Sequence, residues 1–372
     1  QAEDGIRDVE RSRGLGDVYK RQVQSVGESA QQISTEALRT QAEEYLRQVT
    51  VGNAQQNNLV LEEIQNSASS LAQYTAKVFN TPQAFSNEGH WKAEEHMFIG
   101  PEGQYVNGEA DVSSVFVPDF ADVNQALMRE LELSAYLDFI LPSVYESIAS
   151  TVAIYLGTEQ EVTRYYPNVN LGAILPPDFQ VTQRPWYVSA NPENNPAREV
   201  VWSSVYVDAT GQGLMVTAAA PVYAGQDEFV GVIGIDVTLE EIGANIGAAR
   251  FFGSGYSFMV DNTGNTIILP PQGYQDILGR SPQPDEFGTD LSAATTEFAP
   301  ALEKMLSGST GFDALEIDGR ELFVAYAPLE STGWSLANVV EAEKVLQPIA
   351  ALQEELTTSS RSLVMNLSLI HI

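Results

Sequence analysis

The sequence contains no cysteine and only three histidines among its 372 residues. The absence of cysteine excludes disulfide bonds, thiolate catalysis and zinc or iron–sulfur sites with cysteine ligands. Two of the histidines, His90 and His96, are six residues apart, a spacing unlike that of paired metal ligands. We therefore predict no metal site and no cofactor.

Basic residues are scarce, with 19 lysines and arginines against 50 acidic residues and a net charge of −31. A surface this negative repels a phosphate backbone and gains nothing from counterion release, which excludes nucleic acid as a partner. The charge identifies no ligand, because solubility or a salty habitat would explain it equally well.

Long apolar runs are also missing, since no stretch of about 18 apolar residues occurs that could span a bilayer. Both termini resemble translated sequencing-adapter read-through, in Val9–Gln22 and Ser368–Ile372. We predict that residues 1–22 and 368–372 are non-native, and that the chain is a fragment whose neighbouring membrane spans are absent.

The motifs of common enzyme classes are missing as well. The sequence has no G-x-S-x-G elbow, no G-x-x-x-x-G-K-[ST] phosphate loop and no H-E-x-x-H pair. Gly211-Gln-Gly213 lacks a third glycine and is typical of a hairpin turn. We predict that the chain is not an enzyme.

A long helix is predicted at residues 35–80, which contain no proline. Its apolar positions recur at spacings of three and four, as on one face of a helix. These positions are Leu38, Ala42, Tyr45 and Val49, followed by Leu61, Ile64, Ala68, Leu71, Thr75 and Val78. Gly52 weakens the middle, so two helices with a break remain the alternative.

The rest of the chain changes from loops and helices to strands. Residues 81–120 give no regular pattern and are predicted to be loop-rich, whereas 122–147 have helical spacing broken at Pro142. From Ser150 onward, short β-branched and aromatic runs separated by turns indicate two successive antiparallel sheets. The predicted strands are Thr151–Leu156, Val200–Tyr206, Leu214–Val222, Phe229–Val237, Tyr256–Val260, Thr266–Leu269, Leu322–Ala327 and Trp334–Val340. The fold class is therefore α/β in the α+β sense, a long helix followed by two tandem modules.

One segment, Pro177–Ala190, carries a specific resemblance. It contains Arg184-Pro185-Trp186-Tyr187, and Tyr206-Val-Asp208 and Gly231-Val-Ile-Gly-Ile-Asp236 follow. This combination resembles the membrane-distal module of double Cache sensor domains of bacterial chemoreceptors and sensor kinases. The resemblance implies two PAS-like modules. The predicted boundaries are 81–245 for the distal module, 246–340 for the proximal module and 341–367 for a helix toward the membrane.

The resemblance also implies a binding site for free α-amino acids. In that family the motif's arginine and tryptophan engage the ligand carboxylate, which here implies Arg184 and Trp186. The next tyrosine of the motif corresponds to Tyr187. The residues that receive the ligand ammonium correspond to Tyr206, Asp208 and Asp236. The sequence departs from the pattern at Phe179, which stands where the family has a tyrosine and so lacks a hydroxyl donor.

The chemistry of these residue types agrees with that implication. An α-amino acid carries a carboxylate and an ammonium on one carbon, so its receptor needs a cationic fork and opposing anions. Arg184 supplies the fork, and Asp208 and Asp236 supply the anions. The alternative is that Arg184 and Asp236 form a structural ion pair and that the aromatic residues belong to the core. Against it, Asp236 interrupts the apolar strand Val230–Val237, where an unpaired charge would be costly.

The predicted function is therefore that of an extracytoplasmic sensor domain of a membrane receptor. Its partner is a small amine-bearing metabolite, and the long helix is a candidate homodimer contact. Two alternatives stay open, a soluble or anchored binding protein and an orphan dimerisation module. Ligand selectivity is expected to depend on residues within 81–120 and 191–199.

Overall fold

The computed structural model describes residues 2–85, 90–247 and 255–346, with side chains from residue 36 onward apart from 245–247. The helices are α1 (Ala2–Asn80), α2 (Ala93–His96), α3 (Gln125–Ser134), α4 (Leu141–Ser147), α5 (Leu171–Ile174), α6 (Pro185–Ala190), α7 (Leu239–Gly247), α8 (Pro271–Leu278) and α9 (Ala299–Leu306). The strands are β1 (Met97–Ile99), β2 (Tyr105–Asn107), β3 (Ser114–Val117), β4 (Thr151–Thr158), β5 (Thr163–Tyr166), β6 (Val201–Trp202), β7 (Tyr206–Val207), β8 (Leu214–Ala224), β9 (Glu228–Thr238), β10 (Tyr256–Val260), β11 (Thr266–Ile268), β12 (Gly311–Ile317), β13 (Arg320–Leu329) and β14 (Trp334–Glu341). Short 3₁₀ turns occupy Ala135–Phe139, Val181–Gln183 and Leu291–Ala293.

Helix α1 is one continuous helix that begins at Ala2, earlier than the predicted start near residue 35, and it passes through Gly52 without a break. All six predicted apolar positions from Leu61 to Val78 are buried. Upstream, Ala42 is buried as predicted, but Tyr45 is 51% exposed and its neighbour Leu46 is fully buried instead. A helix of 3.6 residues per turn drifts against any fixed spacing of three and four, which accounts for this shift.

The first sheet has nine strands in the order β1-β2-β3-β5-β4-β9-β8-β6, with β7 also paired to β8. Three of these strands, β1 to β3, lie in the segment 81–120; most of its other described residues form turns and irregular backbone, so the prediction of a loop-rich region holds there but missed these strands. Each is only three or four residues long and is separated from the next by turns. Runs of three or four residues are too short to show the alternation of apolar and polar residues by which a strand is recognised in a sequence.

Between residues 122 and 207, one sequence prediction is confirmed and another needs correction. The helical segment 122–147 breaks as expected, since Pro142 lies in the first turn of α4. The single strand predicted for Val200–Tyr206 is two short strands, β6 and β7. Ser203 lies between them and its backbone amide donates to the carbonyl of Thr217 on β8.

The second sheet has five antiparallel strands in the order β11-β10-β14-β13-β12. Strand β12 was not predicted, because its residues are mostly only half-buried and form no apolar run. Residues 342–346 continue β14 as a helix, and the remainder of the helix predicted for 341–367 lies outside the described residues.

Helix α1 contacts both sheets. Its central part packs with the apolar face of β4, β8 and β9, and Leu46 nearer its N-terminus packs with Phe323 and Val340 of the second sheet. Polar contacts add to this packing, since Thr50 Oγ1 accepts a 2.8 Å hydrogen bond from Asn338 and Asn58 Oδ1 accepts one of 2.8 Å from the amide of Ser331. The predicted architecture of a long helix carrying two antiparallel modules is confirmed.

No helix in the part of the chain that the structure describes has an apolar stretch long enough to cross a bilayer.

Candidate ligand-binding site

The central strands of the first sheet are buried on both faces. Along β9, Ile233, Ile235 and Val237 pack toward α1, so the intervening residues face the other side. That second face carries Gly234 and Asp236, and α6 covers part of it. A cavity lies between this face, α5 and α6. Its described lining residues are Tyr155, Thr163, Tyr165, Leu171, Leu175, Phe179, Val181, Arg184, Trp186, Tyr206, Asp208, Ala209, Thr210 and Asp236.

Six of the seven predicted site residues line this cavity, and the seventh, Tyr187, does not. The cavity has a volume of about 30 Å³ and opens to solvent. Phe179, Arg184 and Trp186 come from the segment around α6, whereas Tyr206 and Asp208 come from β7 and its turn. The sheet register therefore brings together residues that are far apart in the sequence.

Pro185 explains why Arg184 is available to the cavity. A residue before proline is excluded from the helical region, and Arg184 has φ −71° and ψ 144° at the N-terminus of α6. Its guanidinium carbon lies 5.3 Å from the ring centre of Tyr206 and 5.8 Å from that of Phe179. Nη2 donates a 3.0 Å hydrogen bond to the carbonyl of Val207.

Arg184 has no carboxylate partner within ion-pair distance among the described residues. The structural ion pair between Arg184 and Asp236, the alternative weighed from the sequence, is therefore not formed. The guanidinium is held by aromatic rings and one carbonyl, and it keeps donors free for an anion.

Trp186 lies against the sheet over a glycine. A Cβ atom on Gly157 would lie 2.6 Å from Cη2 of Trp186 and 2.8 Å from Cγ2 of Val181, so only glycine admits this packing. The indole is 96% buried, and its ring centre is 4.7 Å from that of Tyr155. Trp186 thus forms a fixed wall of the cavity.

Tyr187 occupies a different place. Its ring packs edge-on against Trp186 and Phe229, at centroid distances of 5.8 and 6.0 Å. The hydroxyl is buried without a hydrogen-bond partner among the described residues. Burial raises the pKa of Tyr187, and the carboxylates of Glu159 and Glu161 raise it further. Its role toward a ligand stays a prediction.

Asp236 is the most deeply buried charged group of the cavity, with 1% of its surface exposed. Three hydroxyls donate to the same oxygen, Oδ1, at 2.5 Å from Tyr155, 2.7 Å from Thr217 and 3.2 Å from Tyr206. No described side chain donates to Oδ2. Oδ2 can therefore accept a hydrogen bond from a further donor, at a position that is largely shielded from water.

The electrostatic state of Asp236 follows from this burial. Removal from water raises its pKa to about 7, and the nearby charge of Asp208 acts in the same direction, while the hydroxyls of Thr217, Tyr155 and Tyr206 oppose the rise. No described cation offsets the charge. A cationic ligand group would supply that missing partner.

Asp208 follows β7 directly and shapes the turn into β8. Its Oδ2 accepts the backbone amides of Thr210 at 2.9 Å and Gln212 at 3.0 Å, and also the hydroxyl of Thr210. These bonds are typical of an aspartate turn and fix the side chain at the cavity edge. Oδ1 takes no part in them.

Tyr206 connects the two ends of the site. Its ring lies under the guanidinium of Arg184, while its hydroxyl contacts Oδ1 of Asp236 and Oγ1 of Thr217, the latter at 2.7 Å. The cation and the buried carboxylate are thus separated by one aromatic side chain. An α-amino acid requires such a pair of opposite charges at short range.

Several lining residues were missed from the sequence, among them Tyr155, Thr163 and Tyr165. Tyr155 and Tyr165 are cross-strand partners whose rings stack at 5.6 Å. Strand β4 alternates between the two buried faces, but the sequence alone does not tell which face holds a ligand. The segments 81–120 and 191–199, expected to set selectivity, contribute no described residue to the lining, and residues 171–181 do so instead.

Acidic and histidine side chains do not form a metal centre within residues 36–85, 90–244 and 255–346, since no group of three or more is close enough. His90 contacts the carbonyl of Ala135 at 3.2 Å, and His96 pairs with Asp111 at 2.6 Å.

Comparison with known proteins identifies relatives of this fold. The dCache_1 family, described as Cache domain, matches residues 34–349. Methyl-accepting chemotaxis protein McpA of Pseudomonas putida is 29% identical over 177 residues, which are 46% of this chain and 24% of that protein. Methyl-accepting chemotaxis protein PctB of Pseudomonas aeruginosa is 24% identical over 182 residues, or 48% of this chain and 25% of that protein. The matched segment thus spans about a quarter of the length of either relative.

Among solved structures, an extracellular domain attributed to a histidine kinase, soHK1S-Z6, has a TM-score of 0.52 at 14% identity, covering 84% of this chain and 98% of that one. This likeness shows the shared fold. Because the family match extends over most of the sequence and over both modules, the chain belongs to the Cache domain family.

Proposed function

We propose that this chain is the extracytoplasmic ligand-binding region of a transmembrane signalling receptor, and that its distal module binds an α-amino acid. One observation carries the proposal. A single cavity contains a guanidinium without a carboxylate partner, Arg184, and a buried carboxylate without a cationic partner, Asp236, among the described residues.

The chemistry of an α-amino acid complements both groups. Its carboxylate accepts a charge-assisted pair of hydrogen bonds from Arg184, whose planar fork suits that geometry. Its ammonium donates to Oδ2 of Asp236 and Oδ1 of Asp208, the oxygens that the surrounding side chains leave free. Trp186 and Tyr206 exclude water from between the charges, which strengthens both interactions.

The signalling role is supported by the fold and the relatives. Helix α1 contacts the sheets of both modules, and a helix follows β14 directly, so both ends of the described fold are helical. The relatives McpA and PctB are named methyl-accepting chemotaxis proteins. In such an arrangement, ligand binding in the distal module would bias the relative position of the two helices.

Calorimetry with compounds that carry one or both charged groups tests the proposal. L-Alanine should bind, while propionate and ethylamine, each lacking one group, should bind at least about tenfold more weakly, since about 1.4 kcal/mol corresponds to one decade. Arg184→Ala should abolish binding of L-alanine, because the ligand carboxylate then loses its partner.

The matched control is Arg198→Ala. Arg198 also packs on an aromatic ring, Tyr223, at 4.1 Å, but it lies outside the cavity lining. This variant should bind like the wild type. If Arg184→Ala binds amino acids within about threefold of the wild type, the assignment of the carboxylate site is wrong.

A further inference from the structure

One residue of the cavity lining has a buried hydroxyl without a hydrogen-bond partner among the described residues. Thr163 lines the cavity and is 95% buried, and its Oγ1 has no hydrogen-bond partner among the described residues. The other hydroxyls of the lining are engaged, including those of Tyr155, Tyr206 and Thr210. A buried polar group without a partner is costly, and native proteins rarely keep one without a use.

The strand pairing explains why the Thr163 hydroxyl has no hydrogen-bond partner among the described residues. Its cross-strand partners are Phe116 on β3 and Gly157 on β4, neither of which has a side-chain hydrogen-bonding group. The space over Gly157 is filled by Val181 and Trp186, so a neighbouring polar side chain cannot reach the hydroxyl from that direction. Thr163 lies on the same face as Tyr165, two residues further along β5, which also lines the cavity.

One part of the cavity lining is apolar. The lining contributed by residues 171–181 is Leu171, Leu175, Phe179 and Val181, without a charged group. All three charged residues of the lining, Arg184, Asp208 and Asp236, are already assigned to the ligand's carboxylate and ammonium. The remaining substituent of the α-carbon, the ligand side chain, is therefore left with the apolar part and Thr163.

We propose that Thr163 is a specificity-determining residue, which hydrogen-bonds an uncharged polar group on the side chain of the bound amino acid. This inference rests on the proposed function. The site then favours amino acids such as threonine, asparagine and glutamine over aliphatic analogues of similar shape. An analogue without the polar group leaves the buried hydroxyl unpaired, which is how sites built around a hydroxyl reject such ligands.

Charged side chains are disfavoured for a separate reason. A carboxylate or ammonium placed against Leu171, Leu175 and Val181 would lose its hydration without gaining an opposite charge. L-Aspartate, L-glutamate, L-lysine and L-arginine should therefore bind at least about tenfold more weakly than L-asparagine and L-glutamine.

The test compares three pairs of ligands by calorimetry, L-threonine with L-valine, L-asparagine with L-leucine and L-glutamine with L-methionine. The wild type should prefer the polar member of at least one pair by about tenfold. Thr163→Val keeps the branched shape but removes the hydroxyl, and it should reduce that preference to about threefold or less. Affinity for the aliphatic members should stay unchanged or rise.

Thr151→Val is the matched control. Thr151 lies on β4, is 94% buried and also has an unpartnered hydroxyl, but it does not line the cavity. Its substitution should leave every ligand ratio unchanged, which separates selectivity from a general effect of removing a buried hydroxyl.

The outcomes separate the two proposals. If no α-amino acid binds the wild type, the proposed function fails and this inference fails with it. If amino acids bind but Thr163→Val leaves all three ratios as they were, or if the four charged amino acids bind as tightly as the polar ones, only the assignment of Thr163 and its apolar surroundings is overturned.

Discussion

The ring of Tyr155 crosses directly over Gly234, so closely that a Cβ atom at residue 234 would lie 2.2 Å from its Cε2. The two residues are cross-strand partners in β4 and β9. From this position the Tyr155 hydroxyl reaches Asp236, two residues further along β9, at 2.5 Å. Gly234 therefore makes room for the donor that orients the buried carboxylate.

Gly234→Ala should displace Tyr155 and weaken ligand binding. The added methyl group meets a ring that is enclosed by the sheet and by Trp186, so overpacking should cost about 1–3 kcal/mol of unfolding free energy. Affinity for the ligand should fall by about tenfold or more, as Asp236 loses one of its three hydroxyl donors. Urea unfolding and calorimetry measure the two effects. Unchanged affinity would show that Tyr155 does not position the carboxylate.

Gly52→Ala is the opposite case and serves as the control for glycine substitution. Gly52 lies inside α1, and a Cβ atom there would meet nothing within 4 Å. The substitution should raise the unfolding free energy by about 0.5–1 kcal/mol because alanine is the better helix former. A loss of stability would indicate that α1 is interrupted at Gly52.

The buried ion pair between Arg164 and Asp138 gives a second stability prediction. Arg164 is fully buried and Nη1 lies 3.1 Å from Oδ2 of Asp138, while the side chain also donates to Ser113, Ser134 and the carbonyl of Leu131. Asp138→Ala removes the carboxylate that is paired with the buried guanidinium and should destabilise the fold by about 3–5 kcal/mol.

The matched control for that pair is Asp227→Ala, which breaks the exposed ion pair between Asp227 and Arg198. Exposed pairs contribute little to stability, so this variant should unfold at nearly the wild-type urea concentration. Equal unfolding midpoints for the two variants would contradict the importance of the buried pair.

The parts of the fold that were predictable have long and regular patterns. The stripe from Leu61 to Val78 identified α1, and the apolar runs of β8 and β9 identified the centre of the first sheet. The short strands β1 to β3, at one end of the first sheet, carry no such signal, because three or four residues show no clear alternation and the pairing of β3 with β5 joins segments that are distant in sequence.

The residues of the candidate site likewise fall into those that the sequence identified and those that it did not. Arg184 and Trp186 stand out because proline between them fixes the local backbone. Tyr155 and Thr163 do not stand out, because their place depends on the registers of β4 with β9 and with β5. A shift of one residue in either register would send these side chains to the face that contacts α1.

A further prediction concerns the pH dependence of stability at Asp236. Its pKa of about 7 in the folded protein lies above the value of an unfolded aspartate, near 3.9. Between about pH 4 and 7 the folded state therefore holds a proton that the unfolded state releases. The stabilisation from this group is fully present below about pH 4 and is lost as the pH rises to about 7.

Asp236→Asn removes that titration while keeping the shape of the side chain. The stability of the variant relative to the wild type should therefore increase from pH 5 to pH 8 in urea unfolding without ligand. Asp119→Asn, at an exposed aspartate, should show no such trend. A constant difference between Asp236→Asn and the wild type would contradict a protonated Asp236 at pH 5.

The same titration should couple ligand binding to proton release. The groups that face Asp236 are the hydroxyls of Tyr155, Tyr206 and Thr217 and the carboxylate of Asp208, and none of them is a cation. A ligand ammonium favours the ionised carboxylate, so binding at pH 6 must first remove a proton from most molecules. With a pKa of about 7, roughly one-tenth of Asp236 is ionised at pH 6. Affinity should accordingly be about tenfold lower at pH 6 than at pH 8.

Calorimetry of L-alanine binding in two buffers with different ionisation enthalpies measures this release. At pH 6 the observed heats should differ between the buffers by the equivalent of nearly one proton per ligand, and at pH 8 they should converge. Asp236→Asn should bind weakly at both pH values with no buffer dependence, because the amide has no proton to release on binding. Wild-type heats that are independent of buffer at pH 6, together with an affinity that stays flat from pH 6 to pH 8, would mean that the ligand ammonium does not reach Asp236. Asp208 alone would then have to account for the anionic side of the site.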